Sequence, residues 1–419
     1  MPEPSPCWID DVGPLPVEQP TSVAALGHLV RQAAADGQAL YPLGGRTVLG
    51  QGLPPARPGI AVDLRRLDAV IDYPARDMTI TVQAGITIAR LQELLASENQ
   101  RLPVDVPHAD RATLGGALAT NTGGPRRYGF GTLRDYVIGI SVVNDEGQEV
   151  KAGGRVVKNV AGYDLCKLHI GALGTLGIIT QVTLKLKPRP EAQALLALRC
   201  QADEVAPLLD RLHASRTRPD CIELLNAAAV RVLNQQHGTR LPEAPWVVVV
   251  GFEDNRDAVS WQLQQLIREL PADPERGLDG WAGRTADRLW QALVELRMWP
   301  GAGLTFKANL LPRAVAEFCR KAASLPEALL LQAHAGNGIV IGHAADTLTL
   351  PAAAAMLTTV LGAAEAAEGN VVLLRCPPAW KKALPVWGKP RGDLALMRRV
   401  KAKLDPRGLF NPGRFFFEF

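Results

Sequence analysis

Residues 112–124 read Ala-Thr-Leu-Gly-Gly-Ala-Leu-Ala-Thr-Asn-Thr-Gly-Gly, and two further glycine-rich turns accompany this stretch in the first half of the chain. One is Pro-Leu-Gly-Gly-Arg-Thr at 42–47, directly after a predicted strand, and the other runs from Gly171 to Ile179. Adjacent glycines expose consecutive backbone N–H groups with no Cβ in the way, and such groups bind phosphate oxygens. One turn alone is equally typical of a hairpin. Three such turns on one strand-rich scaffold predict a site for a ligand with a long diphosphate spine.

The pattern of predicted elements changes at Pro188-Arg189-Pro190. Two prolines break any strand ladder, so this tripeptide marks a domain boundary. After it, strands and helices alternate in a way typical of an α+β domain with its helices on one face of a sheet. We therefore predict a first domain over 1–188 and a second domain over 189–394. No repeat of fixed period is visible.

Composition excludes several classes of protein. The chain has 419 residues, of which 47% are hydrophobic and 21% charged, as in a folded protein with large cores. The net charge of +4 argues against a nucleic-acid binder. The six cysteines form no CxxC pair, so we predict no zinc ribbon and no cysteine-ligated iron–sulfur cluster in this chain. Neither a GxGxxG dinucleotide fingerprint nor a Walker loop is present.

The sequence also bears on location. The six cysteines are too few and too scattered for a disulfide framework, which favours a reducing compartment. The N-terminus lacks the basic start and apolar run of a signal peptide. No apolar stretch reaches the roughly 18 residues that a spanning helix needs. We therefore expect a cytoplasmic protein without a transmembrane segment.

Five motifs in fixed order together resemble the vanillyl-alcohol-oxidase or PCMH-type family of FAD-binding domains. They are the turn at 42–47, the stretch at 112–124, Tyr-Gly-Phe-Gly-Thr-Leu-Arg-Asp (128–135), Val-Val-Lys-Asn-Val-Ala-Gly-Tyr-Asp-Leu (156–165) and Gly-Thr-Leu-Gly-Ile-Ile-Thr (174–180). The ending Leu-Asp-Pro-Arg-Gly-Leu-Phe-Asn-Pro-Gly-Arg (404–414) is similar to the family's usual C-terminus. The resemblance implies an α+β protein: a two-subdomain PCMH-type FAD-binding domain over 1–188, a ferredoxin-like cap over 189–394, and a segment over 395–419 that returns to the FAD-binding domain.

The same resemblance implies which residues hold FAD. Residues of the first turn would cradle the pyrophosphate, residues of the second stretch would follow the diphosphate and ribityl chain, and three more would lie near the adenine or the flavin ring. In that order they are Pro42, Gly44, Gly45, Arg46 and Thr47; Thr113, Gly115, Gly116, Thr120 and Gly123; and Gly129, Ile179 and Asn411. Some relatives attach the flavin to a histidine in the first loop. Because Arg46 stands there, we predict non-covalent FAD.

The cap departs from the family pattern. Hydroxy-acid dehydrogenases of the family carry His-x-Gly-Asp-Gly-Asn-x-His and a later Glu-His pair. The stretch from His334 to His343 matches only at its first histidine, and 371–377 has no Glu-His. His343 comes two residues late, about 7 Å along a strand, which is too far for a metal–nitrogen bond of about 2 Å. We predict no metal, and both histidines fit satisfied strand residues as well as a site.

Three residues of the cap are candidates for catalysis or substrate binding. Arg297 and Lys307 stand where family members place an Arg and a Lys that face the substrate, and His334 is the matching histidine. A cationic side chain such as Arg297 or Lys307 can bind the carboxylate of a small acid. A histidine can act as the base that takes the proton of the substrate hydroxyl. Arg297 and Lys307 fit solvated side chains equally well.

Within the family, the chain resembles the FAD-binding subunits of bacterial glycolate oxidases. This implies oxidation of a small 2-hydroxy acid, glycolate to glyoxylate, in a complex with a catalytic FAD-linked subunit and an iron–sulfur subunit. The altered cap suggests that the partner flavoprotein performs the substrate chemistry. Through such partners the protein would also lie at the inner face of the cytoplasmic membrane.

Three alternatives stay open. The chain could be a free-standing FAD-dependent 2-hydroxy-acid (D-lactate-like) dehydrogenase, a non-catalytic flavin-carrying assembly subunit, or an oxidase that releases peroxide. The basic segment 381–403 fits a solvated helix face or a docking patch for an acidic partner.

Overall fold

A computed structural model describes residues 6–154, 163–270, 277–390 and 392–415. Most of the motif at 156–165 lies outside these residues. The described chain forms two compact units. The first contains the described residues of Met1–Thr122, Thr132–Arg189 and Pro390–Phe419, and the second contains those of Gly123–Gly131 and Pro190–Lys389.

The first unit is built on small sheets. A five-stranded antiparallel sheet has the order β10-β9-β11-β7-β6, a three-stranded parallel sheet has the order β3-β5-β4, and β1-β2 and β12-β8 form pairs. The strands are β1 (Cys7–Ile9), β2 (Val12–Leu15), β3 (Val17–Glu18), β4 (Ala39–Leu43), β5 (Gly59–Asp63), β6 (Val70–Asp72), β7 (Thr79–Gln83), β8 (Gln100–Arg101), β9 (Val137–Val143), β10 (Glu149–Gly153), β11 (Ile178–Lys185) and β12 (Lys187–Pro188).

Helices of the first unit begin where side chains can cap them. Ser22, Thr87 and Thr113 each accept a hydrogen bond from a backbone N–H of the first turn. The helices are α1 (Val23–Ala35), α2 (Ile88–Ala96), α3 (Leu114–Thr120), α5 (Leu133–Tyr136), α6 (Cys166–His169) and α13 (Leu394–Leu404), with a 3₁₀ turn at Ala75–Asp77; α4 (Arg127–Phe130) belongs to the second unit.

The C-terminal segment is held by the first unit. Phe410 forms a parallel bridge with Leu40 of β4, through hydrogen bonds from Leu40 N to Leu409 O (2.8 Å) and from Asn411 N to Leu40 O (2.9 Å). The buried Lys401 ammonium donates to Asp405 Oδ2 (2.5 Å) and to Thr175 O (2.7 Å). The interpretation of the basic segment 381–403 as a solvated helix face is therefore wrong at two of its residues, because Lys381 and Lys401 are both buried.

The second unit contains one eight-stranded antiparallel sheet of order β16-β13-β15-β14-β18-β19-β17-β20. The strands are β13 (Ala192–Cys200), β14 (Cys221–Asn226), β15 (Trp246–Asp254), β16 (Leu278–Ala282), β17 (Ala302–Asn309), β18 (Leu330–His334), β19 (Ile339–Ala345) and β20 (Asn370–Arg375). The helices are α7 (Val205–Ala214), α8 (Ala227–His237), α9 (Arg256–Glu269), α10 (Arg284–Glu295), α11 (Val315–Ala323) and α12 (Leu350–Ala366), with 3₁₀ turns at Leu296–Met298, Pro312–Ala314, Ala335–Asn337 and Pro378–Lys382.

This sheet consists of two halves of the same topology. Each half follows the order strand, helix, two strands, helix, strand: β13-α7-β14-β15-α9-β16 and β17-α11-β18-β19-α12-β20. Across the sheet the strands of each half stand in the order fourth, first, third, second. This is the ferredoxin-like arrangement, and it occurs twice although no sequence repeat is visible. Helix α8 is an insertion in the first half.

The two halves join through their second strands, β14 and β18. These strands pair antiparallel, with Glu223 opposite His334, Leu224 opposite Ala333 and Leu225 opposite Gln332. Antiparallel pairing of equivalent strands relates the halves by a local two-fold axis near Leu224 and Ala333. About this axis Glu223 and Gln332 are equivalent, as are Leu225 and His334.

Helices cover both faces of the sheet, so the prediction of helices on one face is wrong. Trp290 and Leu293 of α10 and Leu233 of α8 pack with alternate strand residues such as Leu195 and Val249. The intervening strand residues are also buried, and further helices contact the sheet: α9 contacts β13 and β15, α11 contacts β18 and β19, and α12 contacts β17 and β20. No helix in the described ranges is long and apolar enough to cross a membrane.

Candidate functional site

The turn after β4 is packed against the residues that precede α3. A Cβ added at Gly45 would lie 1.8 Å from Arg111 O, and one at Gly44 would lie 2.0 Å from Thr113 Oγ1. Both positions therefore require glycine. Thr113 Oγ1 also accepts a hydrogen bond from Gly116 N (3.3 Å), so it fixes the start of α3 beside the turn. These contacts hold two glycine-rich segments together around one space.

A cavity opens beside these turns in the first unit. It encloses about 790 Å³ that is partly open to solvent, and a neighbouring cavity of about 440 Å³ shares its central lining residues. The shared residues are Pro42, Leu43, Gly44, Thr113, Gly116, Ala119, Leu173 and Asn411. The two cavities thus adjoin each other along the predicted cofactor residues.

Eleven of the thirteen predicted cofactor residues line this space. They are Pro42, Gly44, Gly45, Arg46, Thr47, Thr113, Gly115, Gly116, Thr120, Ile179 and Asn411. Gly123 and Gly129 belong to the second unit and do not line it. Gly123 O accepts a hydrogen bond from Arg297, and Gly129 N donates to Asp220 O.

Several lining residues were not predicted. Val106 and Pro107 come from an irregular stretch with no glycine signal, and Leu173 stands inside the third glycine-rich turn with a φ of 51°. Asn411 Nδ2 donates to Leu173 O (2.7 Å), so the C-terminal segment closes one wall. Arg414 donates to Leu49, Gln51 and Leu53 carbonyl oxygens and pairs with Asp10 at 3.0 Å, which anchors the loop after the first turn.

The positive charge of the first turn is balanced beneath it. Arg46 lies 3.8 Å from the carboxylate of Asp63, which is fully buried at the end of β5. Burial alone would raise the pKa of Asp63, but hydrogen bonds from Arg65 and Gln19 lower it. The ionised Asp63 therefore supports a cationic turn without lining the cavity.

A second group of polar residues lies on one face of the sheet in the second unit. Arg297 follows α10 and donates to Gly123 O at 3.1 Å. Lys307 of β17 stands opposite Ile341 of β19 and is half-buried. Among the described residues, no carboxylate pairs with Lys307. Burial, and then the charges of Arg297 and Arg127, lower the pKa of Lys307 to about 8. Burial and Arg127 lower the pKa of Arg297 to about 10.

His343 lies beside these cations. Its Nδ1 is 2.9 Å from Thr305 Oγ1, and its Nε2 has no hydrogen-bond partner within the described parts of the chain. Burial, followed by Arg297 and Arg375, lowers the pKa of His343 to about 3, so the ring is neutral at physiological pH. Desolvated cations beside a neutral imidazole can bind an anion and offer it a further polar contact.

A buried network stands at the joint of β14 and β18. Glu223 Oε1 is 2.7 Å from His334 Nδ1, and Glu223 Oε2 accepts from Gln332 Nε2 at 2.8 Å. Of these, the sequence indicated only His334. Glu223 gave no signal, because it stands in the apolar strand Cys-Ile-Glu-Leu-Leu and meets His334 only through strand pairing. Within the described ranges, no three His, Cys, Asp or Glu side chains are arranged to hold a metal.

Comparison with known proteins agrees with the cofactor cavity. Residues 14–153 match the FAD binding domain model, and residues 189–355 and 386–415 match the model for the C-terminal domain of FAD linked oxidases. The chain belongs to this PCMH-type family of FAD-linked oxidoreductases. Its cofactor is FAD, and the glycine turn beside the cavity of the first unit, where an added Cβ would clash, fits the pyrophosphate of a dinucleotide.

Three relatives illustrate the range of the family. The chain is 28% identical to D-2-hydroxyglutarate dehydrogenase of Xanthomonas citri pv. viticola over 96% of this chain and 89% of that protein. It is 27% identical to glycolate oxidase subunit GlcD of Bacillus subtilis over 90% of this chain and 83% of that protein. It is 36% identical to glycolate oxidase subunit GlcE of Escherichia coli, over 41% of this chain and 49% of that protein.

A solved structure confirms the fold class. p-Cresol methylhydroxylase with bound substrate aligns with a TM-score of 0.72 and 17% identity, covering 95% of this chain and 88% of that one. The predicted combination of an FAD-binding domain and an α+β cap is therefore correct.

Proposed function

We propose that the chain is the FAD-binding subunit of a glycolate oxidase complex, which oxidises a small 2-hydroxy acid such as glycolate and passes the electrons to an iron–sulfur partner. The observation that carries the proposal is that one chain contains both a cofactor cavity, in its first unit, and a group of desolvated cations, in its second. Relatives named as glycolate oxidase subunits support the choice of complex. The scattered cysteines support a separate partner for electron transfer.

FAD would be held by the cavity of the first unit. Backbone N–H groups of Gly44 and Gly45 would meet the pyrophosphate, and hydroxyls of Thr47 and Thr113 would add donors. Thr120, whose hydroxyl donates to Gly116 O at 2.9 Å, would line the path of the cofactor. Because Arg46 stands where some relatives attach the flavin to a histidine, the flavin would be bound non-covalently. When bound, FAD supplies the oxidant, which takes a hydride from the carbon that bears the hydroxyl group.

The second unit would hold the substrate. Arg297 and Lys307 would bind the carboxylate, since a desolvated cation without a protein carboxylate gains most from an anionic ligand. His334 would accept the proton of the substrate hydroxyl, so that glycolate leaves as glyoxylate. These residues favour substrate chemistry in this chain as well as in the partner flavoprotein that the altered cap motif suggested.

A free-standing 2-hydroxy-acid dehydrogenase is the second candidate. It is favoured by the likeness to D-2-hydroxyglutarate dehydrogenase, which extends over nearly the whole chain. The two candidates differ in whether the chain, without partner subunits, can turn over a 2-hydroxy acid rapidly with an added dye. Both require that a 2-hydroxy acid reduces the flavin bound to this chain.

The test is anaerobic mixing of the purified chain with glycolate or D-lactate while the flavin absorbance is followed. We expect the flavin to bleach, with onward electron transfer only when the co-purified partners are present. Rapid turnover with a dye and no partners would favour the free-standing enzyme. A flavin that stays oxidised with every 2-hydroxy acid, in the chain and in the complex, would reject the substrate role of this chain.

A further inference from the structure

Three side chains at the seam between β14 and β18 are linked in a chain of hydrogen bonds, from Gln332 to Glu223 and from Glu223 to His334. Glu223 and Gln332 are fully buried, and His334 is 4% exposed. All three lie on the face of the sheet that also carries Lys307, because Gln332 is opposite Ile341, which is opposite Lys307. From strand spacing, the Cα atoms of Lys307 and His334 lie about 12 Å apart, within reach of a long and a short side chain that meet one small ligand.

The orientation of Gln332 is determined by its neighbours. Its Nε2 lies 2.8 Å from Glu223 Oε2 and 3.0 Å from Leu293 O. Both neighbours are acceptors, so only the amide nitrogen, with its two hydrogens, satisfies them. The reverse orientation would place the amide oxygen against two oxygens.

This fixes the hydrogen on His334. An ionised Glu223 has no hydrogen to donate, so its Oε1 accepts from His334 Nδ1 at 2.7 Å. Nδ1 must therefore carry a hydrogen, and in the neutral imidazole the lone pair is then at Nε2. The Leu293 carbonyl therefore determines the orientation of the Gln332 amide, and through Gln332 and Glu223 it determines which nitrogen of His334 carries the hydrogen.

We propose that Glu223 is a positioning residue, which holds His334 as the Nδ1–H tautomer and so leaves Nε2 free to take the hydroxyl proton of the substrate. The inference rests on the role proposed above for His334. Glu223 is fully buried at the seam. It acts only through the ring, with Gln332 as the donor that keeps its carboxylate in place.

Glu223→Gln tests the proposal because it retains shape and burial. The introduced amide oxygen would accept from Gln332, and its NH₂ group would face His334 Nδ1. Nδ1 must then become an acceptor, so the hydrogen moves to Nε2 and blocks proton uptake. We expect kcat of the complex to fall about 100-fold or more, the scale of general base catalysis, with little change in KM.

The direct readout is the tautomer. Histidine ¹⁵N chemical shifts of the FAD-loaded chain distinguish Nδ1–H from Nε2–H, and the His334 signal is assigned by its loss in His334→Gln. We expect Nδ1–H in the wild type and in Glu223→Asp, and Nε2–H in Glu223→Gln. Glu223→Asp should also regain part of the lost kcat.

The control is Glu253→Gln, a second buried carboxylate of the same sheet, which is held by Arg126 at 2.7 Å. It should lower thermal stability but leave the His334 tautomer unchanged. An Nε2–H wild type, or an unchanged tautomer in Glu223→Gln, would overturn the proposal. A switched tautomer with unchanged kcat would uphold the positioning and reject His334 as the base, which separates this inference from the proposed function.

Discussion

Replacement of Gly45 by alanine tests the cofactor cradle most directly. The added Cβ would lie 1.8 Å from Arg111 O, whereas Cβ atoms in proteins keep at least 3.0 Å from other atoms. The turn and the Arg111 carbonyl must therefore separate by about 1.2 Å. Arg111 is two residues before Thr113, so the shift moves both glycine-rich segments that line the cavity.

The expected effect follows from the hydrogen bonds that a displaced turn would no longer donate to the cofactor. Misplacing one or two backbone donors to a pyrophosphate costs about 1–3 kcal/mol, which corresponds to a 5- to 150-fold weaker affinity for FAD. Overpacking should also destabilise the protein by about 1–3 kcal/mol. FAD affinity is measured by titration of the apoprotein with flavin, and stability by thermal unfolding with and without FAD.

Two controls separate the cradle from general strain. Gly50→Ala changes the same loop, but its Cβ would meet no atom within 4 Å, so affinity and stability should stay near wild type. Gly59→Ala would place Cβ 2.2 Å from Ala39 O, away from the cavity lining, so it should destabilise without a specific loss of affinity. If folded Gly45→Ala bound FAD within about twofold of wild type, the cradle assigned to this turn would be wrong.

Three further predictions concern the cations. Lys307→Met should raise KM for the 2-hydroxy acid about 10- to 100-fold with a smaller effect on kcat, because it removes a charge-assisted contact; an unchanged KM in steady-state assays would argue against carboxylate binding there. Since burial, Arg297 and Arg127 lower the pKa of Lys307 to about 8, the residue is cationic below that pH and neutral above it. kcat/KM should thus fall as pH rises through about 8, whereas Lys307→Arg should remove this fall; identical pH profiles would contradict the assignment. Lys401→Met should destabilise the protein by about 3–5 kcal/mol in denaturant unfolding, because it leaves the fully buried Asp405 carboxylate without its counter-ion, and a loss below about 1 kcal/mol would refute a structural role for the pair.

The cofactor cavity was predictable because its signals are local. Gly44 and Gly45 follow a strand within a few residues, and Thr113 precedes the helix it caps. Each feature follows from backbone conformation and from capping chemistry that a short stretch of sequence contains. The same locality explains why Val106 was missed, since an apolar residue in an irregular stretch has no distinguishing neighbour.

The substrate-side residues were predictable only in part. Arg297 and Lys307 were found by resemblance, but their lowered pKa values depend on burial that the sequence does not reveal. Glu223 was missed because its partner is 111 residues away along the chain. The sequence pattern of the second domain predicts helices at 202–214, 255–270, 312–324 and 350–368, and so misses α8 and α10. α8 begins directly after β14, with Asn226 ending the strand and capping the helix, so no loop separates them.

The local two-fold axis between β14 and β18 has a chemical consequence. Two identical polypeptides joined in this way would have to place the same residue at both equivalent positions. If glutamates stood at both positions, two carboxylate oxygens would lie as close as Glu223 Oε2 and Gln332 Nε2 do, at 2.8 Å. The two negative charges would repel each other, so one of the carboxylates would be protonated. A single continuous chain escapes this restriction. It sets one anion against one amide, and breaking the symmetry in this way gives the imidazole at the seam a defined direction.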